Sequence, residues 1–232
     1  MKYLLIPVKD LSNAKQRLAP VMSQEERTRL AWLMLEHVFG EVVRARGHQR
    51  VAVVTLYGPA IELAERLGFQ IIEETEQISE SVSVDYGSRI ARTCRAQSVL
   101  RLPIDLPLVL AEDIDAVLSQ LDGQRGKPMA VMVPSRDGTG TNALGRTPPE
   151  LFPSHFGPDS FNLHRAEAQQ CGAVCRELHL HRIECDIDDP SDVAYLLEHG
   201  HGSTAYEYLM DLNICRRMSS LRHSSAPSAV RF

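Results

Sequence analysis

Apolar and polar positions along the chain fall into two alternating textures. Short continuous apolar runs at residues 3–8, 51–56, 70–73, 98–102 and 129–134 predict buried strands. Between them, apolar residues return every three or four positions and predict helices over 25–46, 60–67, 84–97 and 112–121. That alternation is the pattern of βα units and a mostly parallel sheet. The end signals agree: Ser23 and Glu26 have capping-box spacing, and Gly68 stands where a helix should stop.

After Pro134 the pattern changes. Residues 137–142 predict a loop, 148–157 a turn-rich segment, and 160–172 a helix with Ser160 as its N-cap. Residues 176–187 read as one long strand. Asp189-Pro190 opens a helix running to Glu198, with proline at its first position. A linker at 199–204, a helix over 205–221 and a disordered stretch at 223–232 complete the chain. The division expected is one domain over 1–200, a helical tail over 201–222 and a disordered end. The tail's Tyr206, Leu209, Met210 and Leu212 suit either packing on the domain or a homodimer contact.

Composition narrows the function classes. A 232-residue chain with 44% hydrophobic residues has ample core for a globular domain. Its net charge of −5 argues against an extended nucleic-acid surface, though local basic clusters can still hold a small anion. The five cysteines, Cys94, Cys171, Cys175, Cys185 and Cys215, contain no CxxC pair and read as reduced thiols. The N-terminal apolar run is too short for a signal peptide, and no run approaches the ~18 residues of a membrane span. The expectation is a cytoplasmic protein that engages neither membrane nor nucleic acid.

Four stretches carry candidate chemistry. In Arg101-Leu-Pro-Ile-Asp105-Leu-Pro-Leu108 a carboxylate follows a buried strand, at the sheet edge where open α/β proteins bind ligands. In Asp186-Ile-Asp188-Asp189, residues i and i+2 of an extended chain share a side, so Asp186 and Asp188 present two carboxylates together. Such a pair suits Mg²⁺, although helix capping explains the same residues. The glycines and threonines of residues 138–141 could form an anion-binding nest or a plain hairpin loop. Finally, Lys9, Lys15 and Arg17 follow the first strand with no glycine-rich turn, either as a phosphate-neutralising loop or as a solvated one. His155 and His164 flank a segment whose helix start could take an anion. The pair His179 and His181 lacks a third ligand, and no nucleophile–histidine–acid set is present.

In this order the motifs resemble the 2-phospho-L-lactate guanylyltransferase family of coenzyme F-420 biosynthesis, which includes phosphoenolpyruvate and 3-phosphoglycerate guanylyltransferases. IPVKDLSNAKQRL resembles its first-strand signature, IDLPL its Asp-Leu-Pro motif, VPSRDGTGTNAL its middle loop, FGPDSFNLH its FGxxSFxxH segment, and DIDDPSDVAYLL its closing segment. The resemblance implies an α/β fold: a single-domain, Rossmann-like, mostly parallel sheet with flanking helices, of the nucleotide-diphospho-sugar transferase type. It implies a Mg²⁺-assisted transfer of GMP from GTP to a small phosphorylated carboxylic acid, with pyrophosphate leaving. Carried over by motif, Asp105, Asp186 and Asp188 correspond to metal ligands, and Thr141, Gly157 and Ser160 to residues holding the phospho-acid. Lys9, Lys15 and Arg17 correspond to the nucleotide-phosphate loop, with Lys15 and Asp105 as the catalytic pair. Two departures stand out. Ile104 replaces a glycine, and residues 80–89, with Asp85 expected at the base or ribose, replace a Gly-Leu-Asn-type turn. The alternatives are a cytidylyl- or molybdopterin-type nucleotidyltransferase, or a non-catalytic binder of phosphometabolites.

Overall fold

The computed structural model describes residues 1–48, 50–122 and 126–224. Seven strands form one sheet: β1 (Lys2–Pro7), β2 (Arg50–Val54), β3 (Gln70–Ile72), β4 (Ser98–Arg101), β5 (Met129–Pro134), β6 (Thr141–Thr147) and β7 (Val174–Glu177). Their order is β3-β2-β1-β4-β6-β5-β7, parallel throughout except that β6 runs antiparallel to both β4 and β5. The helices are α1 (Gln24–Arg44), α2 (Gly58–Arg66), α3 (Glu80–Thr93), α4 (Ala111–Gln120), α5 (Ser160–Gln170), α6 (His181–Glu184), α7 (Pro190–His199), α8 (Thr204–Asp211) and α9 (Ile214–Ser224). Among the described residues no helix is long and apolar enough to cross a membrane.

Both faces of the sheet are covered, which is why β1 is apolar without interruption. Leu4 and Ile6 face a core with Leu35, Phe39 and Val42 of α1. Tyr3 and Leu5 face the other side, with Val54 and with Ala91 of α3. The capping box at Ser23 and Glu26 forms in full at the start of α1.

The structure corrects several expectations. β6 went unread because its sequence, TNALGRT, is half polar; three of its polar residues are nevertheless buried, Thr141, Asn142 and Arg146. The terminal nitrogens of the Arg146 guanidinium donate to the Phe152 carbonyl, Ser88 Oγ and Asp85. The long strand expected over 176–187 stops at Glu177, and a last bond from Leu178 N to Met132 O leads the chain away. α6 then turns it back across the sheet edge, with His179 and His181 both resting on Glu184. α3 begins a turn earlier than expected, with Ser79 as its cap, and Asp159 rather than Ser160 occupies the N-cap of α5. The tail helix is two helices, broken at Asn213 in the left-handed region (φ 52°). Of the end expected to be disordered, residues 223–224 close α9 and 225–232 lie outside the described residues.

The tail packs on the domain. Ala205, Leu209 and Ile214 join Leu18, Met22, Leu30, Met34 and Leu196 in a second apolar cluster.

Candidate active site

Strand order reverses direction between β1 and β4, and the carboxyl ends of these strands open a crevice there. The β1 loop is pinned locally: the Asp10 carboxylate accepts from Ser12 N at 2.8 Å, and a helical turn follows at Gln16–Leu18. Lys15 sits between them in the left-handed region (φ 53°, ψ 46°), which costs a non-glycine residue about 1 kcal/mol and turns its side chain into the crevice. The β4 loop carries Asp105. Because β6 is antiparallel, its first residues, Thr141 and Asn142, emerge at this same edge.

The returning chain supplies the third piece. Ile187 N donates to the Asp105 carbonyl at 3.3 Å, joining the two acidic segments. Asn142 Nδ2 reaches the Ile183 carbonyl, the Glu184 carbonyl and Asp186 Oδ1, at 2.9, 3.2 and 3.0 Å. Cys185 and Ile187 are buried, while the intervening Asp186 and the following Asp188 line the crevice. Asp189 caps α7 instead, accepting from Ser191 N and Asp192 N. The three carboxylates expected together are therefore together, on two segments.

What lies between them is an ammonium group. Lys15 Nζ is 2.7 Å from Asp105 and 2.9 Å from Asp188. Burial works against its charge, but the two carboxylates override it and raise its affinity for the proton. At Asp105 burial likewise disfavours the charge, here by pushing upward, yet Lys15 holds the carboxyl below the usual value. Asp186 forms no ion pair with a described residue. Burial, and then the Asp105 carboxylate, push it up to about 7 against the Asn142 hydrogen bond. Three acidic groups thus crowd about one lysine, which pairs with two of them. Among the described residues no three His, Cys, Asp or Glu side chains form a ready-made metal cage. The oxygen-only donor set and its surplus negative charge nevertheless fit a hard divalent cation once Lys15 moves off.

A second cluster faces the other flank. Ser160 Oγ lies 3.3 Å from Thr141 Oγ1, which in turn lies 3.0 Å from His164 Nδ1. Arg101, the one charged residue of β4, pairs with Glu80 of α3, donates to the Thr141 carbonyl at 3.0 Å, and lies 4.2 Å over the Phe156 ring. The site residues that sequence reasoning left unassigned are Arg101, Glu80, Asn142 and His164. An arginine ending an otherwise apolar buried strand was the available signal for the first.

Two expectations change here. The loop over 138–141 is not an open anion nest. Thr139 N donates to Asp137 Oδ1 at 3.0 Å and Gly140 N to Ser135 Oγ at 2.7 Å, so its amides are spent internally. Gly140 is required, since a Cβ would stand 2.8 Å from Ser135 Oγ. Asp85 does not face the crevice: its carboxylate accepts from Ser154 N and Oγ and pairs with Arg146, fixing the segment ahead of α5.

Two adjoining cavities result. One, of ≈470 Å³, is lined by the β1 loop with Lys9, Lys15 and Arg17. The other, of ≈510 Å³, is lined by Thr141, Gly157, Ser160 and Asp186. They share Arg17, Glu80, Arg101, Pro103, Asp105 and Asp188 as a common wall. Lys9 and Arg17 are exposed and form no ion pair with a described residue. Two anions placed in these compartments would meet at the lysine–carboxylate cluster.

Comparison with known proteins agrees with this architecture. The family model for guanylyl transferase CofC like proteins matches residues 1–229. The phosphoenolpyruvate guanylyltransferase of Sphaerobacter thermophilus is 33% identical over 196 residues, covering 84% of this chain and 92% of that protein. The 2-phospho-L-lactate guanylyltransferase of Methanosphaera stadtmanae is 28% identical over 215 residues, covering 90% of each. A crystal structure from Desulfovibrio desulfuricans G20, assigned as a nucleotide-diphospho-sugar transferase, superposes with a TM-score of 0.76 at 15% identity. It covers 93% of this chain and 97% of that one, and shows the fold. A match over almost the whole chain, on a fold that presents this two-compartment crevice, places the protein in the CofC-like guanylyl transferase family of nucleotidyltransferases.

Proposed function

We propose that the protein transfers GMP from GTP to the phosphate of phosphoenolpyruvate, with 2-phospho-L-lactate and 3-phosphoglycerate as the related acceptors, in cytoplasmic coenzyme F-420 biosynthesis. The observation that carries this reading is the pair of cavities sharing one charged wall. Phosphoenolpyruvate comes first because the relative at 33% identity is named for it.

An acceptor phosphate oxygen attacks the α-phosphorus of GTP, a new P–O–P bond forms, and the α–β bridging bond breaks to release pyrophosphate. The attacking oxygen is already ionised near neutral pH, so no side chain has to remove a proton. The chain's task is to bring two anions together in line. Lys9 and Arg17, which form no ion pair with a described residue, neutralise the nucleotide phosphates from the β1 loop. Lys15 contributes a charge that its two carboxylate partners keep protonated. Thr141, Gly157 and Ser160 hold the phospho-acid, and Arg101 stiffens their frame from beneath. Asp105, Asp186 and Asp188 would hold Mg²⁺, which when bound supplies charge neutralisation on the reacting phosphates.

The test is a pyrophosphate-release panel, with GTP, ATP and CTP each crossed against the three phospho-acids in Mg²⁺. Turnover is expected with GTP and phosphoenolpyruvate foremost. No turnover with GTP and any of the acids would refute the reading.

A further inference from the structure

The hydrogen-bond directions around Thr141 are fixed by a residue that the reaction itself does not need. The backbone N–H of His155 points at His164 Nε2 from 2.8 Å, and an amide N–H can only donate. His164 Nε2 must then carry a lone pair, which leaves the proton of the neutral ring on Nδ1. That nitrogen is 3.0 Å from Thr141 Oγ1 and donates to it. Ser160 Oγ donates to the same oxygen from 3.3 Å. Both lone pairs of the Thr141 hydroxyl are thereby engaged, and its own proton has no acceptor among the described residues. Thr141 lines the second cavity, so that proton is left for whatever occupies it.

We propose that His164 is a positioning residue that locks the Thr141 hydroxyl as a hydrogen-bond donor, so that its partner must accept, as a phosphate or carboxylate oxygen of the bound acid does. This rests on reading the second cavity as the acceptor compartment. The ring is held in place on all sides. It is fully buried, Phe156 meets it edge-on at 4.9 Å, and Glu167 steadies His155 through a 2.9 Å contact. Burial, followed by the charges of Arg146, His155 and Arg101, depresses its pKa to about 3, so the neutral ring persists at working pH. An imidazolium would set the Nε2 proton against the His155 N–H.

Two measurements decide the matter. NMR of the ¹⁵N-histidine-labelled protein, with His164 assigned by its loss in His164→Asn, should show a protonated Nδ1 and a bare Nε2. The opposite tautomer, or an imidazolium, overturns the proposal whatever the substrate. In steady-state kinetics His164→Phe should raise KM for phosphoenolpyruvate roughly tenfold, the scale of one hydrogen bond, with KM for GTP within about twofold. The same change in a Thr141→Val background should add almost nothing, as coupled residues behave. His164→Asn keeps an N–H near the Nδ1 position and should restore most of the acceptor affinity; it also serves if the phenylalanine variant does not fold. Additive effects, or equal rises in both KM values, would show a merely structural histidine. Absence of turnover in the wild-type protein would sink the guanylyl-transfer reading, while the tautomer measurement still judges the donor assignment.

Discussion

Lys15 occupies the position between Asp105 and Asp188 where a divalent cation would have to act, so the site holds its charges in a compensated arrangement. Removing the ammonium leaves two part-buried carboxylates facing each other beside Asp186. Lys15→Gln should therefore lower stability by about 1–3 kcal/mol, read from the urea midpoint. Added Mg²⁺ should recover part of the loss by binding the vacated carboxylates. Asp186→Asn, by contrast, removes a carboxyl group that has no ion-pair partner among the described residues. It should leave the midpoint nearly unchanged while cutting kcat roughly 10²-fold, the usual scale for losing one electrostatic contact to the reacting groups. Wild-type rates in that variant would show Asp186 to be dispensable. The convergence of these carboxylates was legible from the i, i+2 spacing and the position after β4. That a lysine would stand between them was not, because its left-handed backbone depends on turns to either side. Nor did Asp85 betray its inward partners, Ser154 and Arg146, which come from 69 and 61 residues away.

At the scale of elements, the fit of α3 on the sheet sets where Glu80 meets Arg101. Gly87 makes that fit possible: a Cβ there would lie 2.9 Å from Val54 Cγ2 and 3.5 Å from Leu5 Cδ1. Gly87→Ala gains about 1 kcal/mol in helix propensity, while overpacking costs about 1–3 kcal/mol. A small net loss in the urea midpoint is expected, accompanied by weaker activity as Glu80 is displaced. The strands and helices of residues 3–121 could be read from the chain because each buries a face with a regular period. β6 could not, since its burial of Asn142 and Arg146 is affordable only through partners on α3, α6 and the 152–154 segment. The strand at 176–187 misled for the opposite reason. Its apolar residues, Leu178, Leu180, Ile183 and Ile187, do reach the core, but from the turn after β7, a short helix and the segment beyond it rather than from one ladder.

For the molecule as a whole, the tail closes the apolar cluster directly behind the β1 loop. Leu209 is fully buried there beside Leu18 and Met22, and Leu209→Ala should cost about 2–5 kcal/mol, lowering Tm by roughly 2–4 °C per kcal/mol. The outer clasp is polar. Arg217 grips Glu26 with both guanidinium nitrogens, at 2.7 and 2.9 Å, and Glu26 also accepts from Ser23 N in the capping box of α1. The Arg217 hydrogen bond, outweighing burial and aided by Ser23, holds the Glu26 carboxyl below its ordinary value. A carboxylate depressed in the folded state stabilises the fold fully above its unfolded pKa, near 4.3 for glutamate. That contribution disappears as pH falls through the lower folded value. Arg217→Ala should therefore melt below the wild-type protein at pH 7, and the gap should narrow as the solution is acidified below roughly pH 4. The pair is only half-buried, so 1 M salt should narrow it as well. A gap independent of both pH and salt would mean that Arg217 secures the tail through its packing rather than its charge.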